Sequence, residues 1–238
     1  MKTNGIFRTS EVFRNKPVED VGQITKGEVG KDYETSFASA ASFLLSDINE
    51  NKGEKYDRVK KLFENIPIVD LGAGQNQRGY FLARIIGASG YVATEPNNWV
   101  SLEDELTNQN TSGHNYSDHT GHFSPKIEKF KKIPFAIAPE DALTFLKRLP
   151  DHSVGISSFG IDGYVLGSAF RGSMSKGESE KIEKYIKDVN DEISRVLHPA
   201  SAVITKNSAF VGSGLEEKFI SFIEKDLGFY IYKQKKSE

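Results

Sequence analysis

The chain has 238 residues, of which 37% are hydrophobic and 27% charged, and its formal net charge is −2. This length suffices for one large domain, or a domain with a cap, and the near-balanced charge gives no general attraction to nucleic-acid phosphates. The chain has no cysteine, which excludes disulfides, thiol nucleophiles and cysteine-ligated metals. No apolar run approaches the ~20 residues of a membrane helix, and the first residues lack a signal-peptide core. We therefore expect a cytoplasmic protein without membrane contact.

The first 65 residues predict an arm followed by two helices. Residues 1–31 are polar with scattered apolar anchors, and they suit either a lid over the substrate or a disordered tail. Between 32 and 49, Phe37, Ala41, Leu44 and Ile48 recur at helical spacing. A second helix is predicted from about residue 54 to 65, as part of a substrate-recognising cap or as a cover for the sheet. We expect an N-terminal arm and helical cap over 1–65 and a main domain over 66–238.

A strand, a glycine turn, a helix and a second strand follow between residues 66 and 95. The apolar run at 66–71 is typical of a parallel strand buried on both faces. Gly72 and Gly74 allow a sharp turn and a close approach of the backbone to a ligand, and the helix begins near Gln77. The second strand ends in Glu95, whose two carboxylate oxygens can accept hydrogen bonds from both hydroxyls of a ribose.

Residues 97–132 form a longer connection than one crossover helix needs. Its polar part holds His114, His119 and His122. Imidazole is a common metal ligand, but the spacing of these histidines matches no metal motif. We therefore expect an exposed loop without a metal, or a loop that borders the substrate pocket.

The third strand is predicted at 133–138 and is followed by a short helix that starts near Asp141, a suitable N-cap. A fourth strand is predicted around Val154 to Phe159, with the small residues Ser157 and Ser158 near its end. In a doubly wound sheet this end lies beside the first glycine turn, where the strand order reverses. Asp162 and Tyr164 are therefore the candidates for a general base or a substrate hydrogen bond. The other interpretation of Asp162 is a tight turn.

The remaining elements complete an α/β pattern. We predict a long helix at 178–198, a fifth strand at 200–206, a last helix that begins at Leu215, and a final strand at 229–234. Alternating strands and helices with right-handed crossovers predict a doubly wound, mostly parallel Rossmann-like sheet of order 3-2-1-4-5. The final strand is expected at the edge beyond the fifth.

The segment DLGAG at 70–74, followed 21 residues after Gly74 by Glu95, resembles motif I and the second acidic position of class I S-adenosylmethionine (SAM) methyltransferases. A nicotinamide-binding Rossmann unit requires a third glycine where this chain has Gln77. The resemblance implies that Asp70 holds the amino-acid end of SAM through water or backbone amides. It also implies that Asp141 and the Ala142 amide read the adenine. The candidate cofactor-binding residues are Asp70, Gly72, Ala73, Gly74, Glu95, Pro96, Asp141, Ala142, Ser158 and Phe159.

The resemblance implies transfer of the SAM methyl group to a nucleophile, and we favour a small-molecule acceptor. The segment SSFG lacks the Asp/Asn-Pro-Pro-Tyr/Phe tetrapeptide that amine methyltransferases for DNA and protein often carry. A protein or nucleic-acid methyltransferase stays open if Lys126, Lys129, Lys131 and Lys132 border the pocket. A non-catalytic nucleotide-binding protein of the same fold is the other alternative. The acceptor, the use of a general base and the oligomeric state are not defined by this sequence.

Overall fold

A computed structural model describes residues 53–73, 78–96, 130–159, 161, 176–205, 210, 212–218 and 229–234. The helices are α1 (Glu54–Phe63), α2 (Arg78–Ile85), α3 (Ala142–Leu146) and α4 (Lys176–Val196). The strands are β1 (Pro67–Leu71), β2 (Gly90–Thr94), β3 (Phe135–Ala138), β4 (Gly155–Ser157), β5 (Val203–Thr205), β6 (Leu215–Lys218) and β7 (Tyr230–Gln234).

These strands form one sheet of order β3-β2-β1-β4-β5-β7-β6. The five strands from β1 to β5 run parallel, and β7 pairs antiparallel with both β5 and β6. The pairing confirms the predicted doubly wound α/β class and its 3-2-1-4-5 order. Because β1 pairs with β2 on one side and β4 on the other, the strand order reverses there. In open α/β sheets, ligands bind outside the carboxyl ends of the strands at such a reversal, which here lies between β1 and β4.

The prediction of a helix beginning at Leu215 is wrong, because Leu215–Lys218 form β6. Gly212 and Gly214 have φ angles of 86° and 72°, which turn the chain just before this strand. β7 offers an open edge with which the segment pairs. Backbone pairing thus overrides an apolar spacing that also suits a helix. A second correction follows: β7 lies between β5 and β6, and β6 is the edge strand.

Two apolar clusters lie on the two faces of the sheet. On one face, Val59 and Phe63 of α1 are fully buried with residues of α2. The ring of Phe63 lies so close to Gly155 of β4 that a Cβ there would be 3.0 Å from it. On the other face, Ile193 and Val196 of α4 pack with α3. Helix α1 therefore covers the sheet, while the division of the chain at residue 65 stays a prediction because residues 1–52 lie outside the described part.

Arg195 near the end of α4 ties this helix to the end of α3. Its guanidinium donates to the carbonyl oxygens of Leu146 and Leu149, at 2.9 and 2.8 Å, and to the carboxylates of Asp151 and Glu192. The last carbonyls of a helix have no partners within it. A planar guanidinium presents five donors in a fixed fork, whereas the ammonium of a lysine has only three.

We expect Arg195→Ala to lower the free energy of unfolding by roughly 2–3 kcal/mol, because the carbonyl of Leu146 at the end of α3 and that of Leu149 in the turn after it lose this donor. Arg195→Lys should recover only part of that loss. Urea denaturation measures both. Lys187→Ala, which removes an exposed ion pair to Asp191 on the same helix, is the control and should leave the stability nearly unchanged. Equal effects of the Arg195 and Lys187 variants would contradict this role.

Candidate active site at the carboxyl edge of the sheet

The turn after β1 is bound directly to the end of β2. Gly72 has a φ of 71°, a left-handed conformation that favours glycine. Its amide donates to the hydroxyl of Thr94 at 3.1 Å, and that hydroxyl donates to the carbonyl of Asp70 at 3.2 Å. The amide of Ala73 donates to the carbonyl of Thr94 at 3.0 Å. The turn after β1 is therefore bound to Thr94, the last residue of β2, which directly precedes Glu95.

Glu95 lies between this bend and the end of β3. Its amide donates to the carbonyl of Ala138 at 3.1 Å, and its side chain is largely buried, with 7% exposed. Pro96 beside it is half-buried. The strand register sets Leu71, Thr94 and Ala138 side by side. The predicted ribose acceptor is thus held at the same edge as the glycine turn, as the sequence spacing required.

Asp70, the last residue but one of β1, has a completely buried carboxyl group. The hydroxyl of Tyr91 donates to Oδ2 at 2.6 Å, and the hydroxyl of Ser157 donates to Oδ1 at 3.1 Å. Burial and, to a smaller extent, the nearby charge of Glu95 raise the pKa of Asp70 to about 7, against the opposing effect of these two hydrogen bonds. This site thus contains a carboxyl group that gains or loses its proton near neutral pH.

Gly79 in α2 is a site residue that the sequence interpretation missed. A Cβ at this position would lie 2.1 Å from Oδ2 of Asp70 and 2.6 Å from the hydroxyl oxygen of Tyr91. In a dinucleotide-binding fingerprint, the third glycine allows close packing of helix and strand. Gly79 has this role two residues beyond the position where Gln77 replaces that glycine. The sequence does show a glycine two residues after Gln77, and this signal could have identified Gly79 as the residue that allows close packing.

Asp141 caps α3, as the simpler of its two interpretations predicted. Its Oδ1 accepts from the amide of Thr144 at 3.2 Å, and its Oδ2 accepts from the Thr144 hydroxyl. Ala142, the first residue of the helix, is buried. Both lie just beyond the end of β3, at the same edge as Glu95. Their contact with adenine stays a prediction.

Ser158 and Phe159 follow β4 and are fully buried. The hydroxyl of Ser158 donates to the carbonyl of Phe210 at 3.0 Å, and the Ser158 carbonyl accepts from Thr205 at 3.0 Å. Phe159 packs in the same apolar cluster as Ala73. These contacts connect the end of β4 to the end of β5 and to the glycine turn. A cofactor contact of Ser158 and Phe159 stays a prediction.

Several predicted residues lie outside the described part of the chain: Gly74, Asp162, Tyr164, His114, His119, His122, Lys126 and Lys129. Lys131 and Lys132 are described and exposed. Within the described ranges, no cluster of three or more His, Asp or Glu side chains is arranged to hold a metal ion. Within the same ranges, no helix combines the length and the apolar character that crossing a membrane requires.

The arrangement at this edge offers hydrogen-bonding groups that suit a bound sugar. The carboxyl ends of β1, β2 and β3 bring together a glycine turn, a carboxylate and a capped helix start. Carboxylate oxygens accept hydrogen bonds from the two hydroxyls of a ribose, and a turn with left-handed glycine lets a ligand approach the backbone. The site thus supplies the groups that a nucleoside cofactor needs at its sugar.

No protein-family model and no curated protein matches the chain. Several solved structures with a similar fold are SAM-dependent methyltransferases. They include an S-adenosyl-L-methionine methyl transferase from Silicibacter pomeroyi, with 12% identity, 88% of this chain and 99% of that chain covered, and a TM-score of 0.41. A TehB-like SAM-dependent methyltransferase from Corynebacterium glutamicum has 13% identity, coverages of 83% and 99%, and a TM-score of 0.40.

A geranyl diphosphate methyltransferase, solved with GPP and sinefungin, has 13% identity and a TM-score of 0.37. The alignment covers 71% of this chain but 43% of that longer one. At such low identity the likeness is one of fold alone, so the function is argued below from the residues of this chain.

Proposed function

We propose that this protein is a SAM-dependent methyltransferase that acts on a small molecule. The observation that carries the proposal is the position of Glu95 beside the turn at Gly72, because Thr94, which directly precedes Glu95, binds the amides of Gly72 and Ala73. A sugar-binding carboxylate must stand next to the turn that admits the cofactor. Nicotinamide-binding units use the same pairing, so the choice of SAM rests on the resemblance at 70–74 and Glu95 and is tested against NAD below. The reversal of strand order is the expected place for such a ligand.

Each part of the cofactor has a proposed partner. Glu95 accepts from the ribose hydroxyls, with Pro96 shaping the same edge. The turn at 72–74 lies against the amino-acid end, where the charge of Asp70 complements an ammonium group. Asp141 and Ala142 face the adenine. Ser158 and Phe159 lie at the end of β4, toward the reacting methyl group.

SAM supplies an activated methyl group when it is bound, so the chain needs mainly to align the acceptor with it. Holding two reactants in line lowers the entropic part of the barrier. Asp162 and Tyr164, which follow β4, are the proposed acceptor-facing residues. The proposed division is an arm and cap at 1–65 and a methyltransferase domain at 66–238; because α1 packs on the sheet, the part proposed to cover the acceptor is 1–52.

The test measures binding of SAM and S-adenosylhomocysteine by calorimetry. We expect micromolar-range binding by the natural chain, and roughly 10- to 100-fold weaker binding by Glu95→Ala, because the ribose loses one or two hydrogen bonds to a charged group. Glu95→Gln should weaken binding less, since the amide keeps one acceptor oxygen. Glu64→Ala, at the exposed residue that follows α1, is the matched control and should change the affinity by less than about twofold.

Unchanged SAM affinity in Glu95→Ala would remove the ribose assignment. Stabilisation of the protein by NAD but not by SAM would replace the proposal with a nicotinamide-binding function. A screen of methyl acceptors then tests catalysis. Methylation of protein or nucleic acid in preference to small molecules would overturn the proposed substrate class, and tight SAM binding without any acceptor would indicate a non-catalytic binder.

A further inference from the structure

One buried carboxyl group joins three neighbouring strands beneath the glycine turn. Asp70 lies on β1, while its two side-chain donors come from β2 and β4. Ser157 is the direct register partner of Asp70. The ring of Tyr91 is fully buried and packs edge-on against Tyr80, with 5.8 Å between ring centroids. The phenol hydroxyl is therefore held on the carboxylate and has little freedom to turn elsewhere.

The same residue is connected to the turn through its backbone. The carbonyl of Asp70 accepts from the Thr94 hydroxyl, which in turn accepts from the amide of Gly72. A shift of the Asp70 side chain would therefore disturb both β1 and the bend. A carboxylate has about four acceptor sites, so the two observed donors leave capacity for an attraction toward a cation above the turn.

We propose that Tyr91 is a positioning residue for cofactor binding, which holds the Asp70 carboxylate charged and in place beneath the turn so that it attracts the ammonium group of SAM. This inference rests on the proposed function and adds a residue to it. Tyr91 does not touch the cofactor in this scheme and acts through Asp70.

Burial and three neighbouring groups decide the charge of Asp70. Burial among β1, β2 and β4 opposes ionisation and raises the pKa of Asp70 to about 7, and the carboxylate of Glu95 after β2 acts in the same direction. The hydroxyls of Tyr91 on β2 and Ser157 on β4 favour the ionised form. Gly79 on α2 contributes space but no charge. Loss of the Tyr91 hydroxyl should therefore keep Asp70 protonated to a higher pH.

The test compares Tyr91→Phe with the natural chain for binding of S-adenosylhomocysteine across pH 6 to 9, by calorimetry. Both proteins bind the same ligand, so dividing one dissociation constant by the other removes the effect of the ligand's own ionisation. We expect a ratio of about tenfold near pH 6 that falls toward one near pH 9, where Asp70 is ionised in both proteins. Ser157→Ala removes the other donor and should give the same trend, which keeps the test open if Tyr91→Phe folds poorly.

Two controls separate this role from general packing. Tyr80→Phe removes a neighbouring buried hydroxyl that donates to the carbonyl of Ile133 at 2.9 Å, and it should give a ratio that does not vary with pH.

5′-Methylthioadenosine lacks the amino-acid end, and its affinity should not depend on the Tyr91 hydroxyl. A ratio for Tyr91→Phe that is constant with pH, or an equal effect on methylthioadenosine, would overturn the inference while SAM binding stands. No binding of either ligand by the natural chain would overturn the proposed function as well.

Discussion

Replacing Gly79 with alanine is expected to lower the free energy of unfolding by about 2–4 kcal/mol, although alanine is the better helix former. The added Cβ would lie 2.1 Å from Oδ2 of Asp70. Helix α2 must then move away from the sheet, or the bond between Asp70 and Tyr91 must break. Overpacking costs roughly 1–3 kcal/mol and an unsatisfied buried acceptor a similar amount, which together exceed the gain of about 1 kcal/mol in helix propensity.

Urea denaturation, followed by circular dichroism, measures this change. The chain offers a matched control in Gly177, near the start of α4, where an added Cβ would meet no atom within 4 Å. Gly177→Ala should stabilise the protein by up to about 1 kcal/mol. The two substitutions are chemically identical, so opposite signs isolate the contact with Asp70. A Gly79→Ala protein as stable as the natural one would show that this helix does not depend on close packing at the site.

Replacing Asp70 with asparagine is expected to remove a large pH dependence of stability. The folded-state pKa of Asp70, about 7, lies above its ordinary value of 3.8. The folded protein therefore binds the proton more tightly than the unfolded chain does. The stability from this group is fully present below about pH 4 and is lost as the pH rises to about 7, by an amount on the order of 4 kcal/mol.

The measurable quantity is the difference in unfolding free energy between Asp70→Asn and the natural chain, from urea denaturation at several pH values between about 4 and 8. We expect this difference to shift in favour of the variant as the pH rises to about 7 and then to level off. A difference that does not change with pH would contradict a raised pKa for Asp70.

Asp191 provides a control of opposite sign. Its pKa is lowered by hydrogen bonds from Lys187 and Ser213, so its contribution to stability is present at neutral pH and is lost on acidification. Relative to the natural chain, Asp191→Asn should therefore lose stability as the pH rises from acid to neutral, the reverse of Asp70→Asn. The exposed position of Asp191 makes this effect small.

The two properties of Asp70 are related under the proposed function. Its ionisation lowers the stability of the folded chain, and an ammonium group bound above the turn would recover part of that loss. Saturation with S-adenosylhomocysteine should then reduce the pH dependence of stability between about pH 5 and 7. Binding of the ammonium group would thus offset the loss of stability that the buried, ionised carboxylate of Asp70 causes.

The order of the parallel strands followed from local patterns. Short apolar runs separated by helices allow few arrangements, because crossovers between parallel strands are right-handed. The position of Glu95 beside the turn at Gly72 followed for the same reason, since adjacent parallel strands end at the same edge of a sheet. The cap at Asp141 was also predictable, as it depends on Thr144 only three residues away.

Contacts across long stretches of chain were not predictable in this way. The segment that begins at Leu215 has an apolar spacing that suits a helix, but its described residues, Leu215–Lys218, pair with the open edge of β7 as a strand. The donors to Asp70 lie 21 and 87 residues away along the chain. No local pattern relates Tyr91 or Ser157 to that carboxyl group.

The amino-acid sequence by itself determined which residues meet at the carboxyl edge of the sheet, because strand periodicity and crossover handedness set the positions of Gly72 and Glu95. Only the tertiary structure decided the chemical state of that edge. The pKa of Asp70 depends on burial by three strands, on two hydroxyl groups from different strands and on the space left by Gly79. Such an environment exists only once the strands are paired.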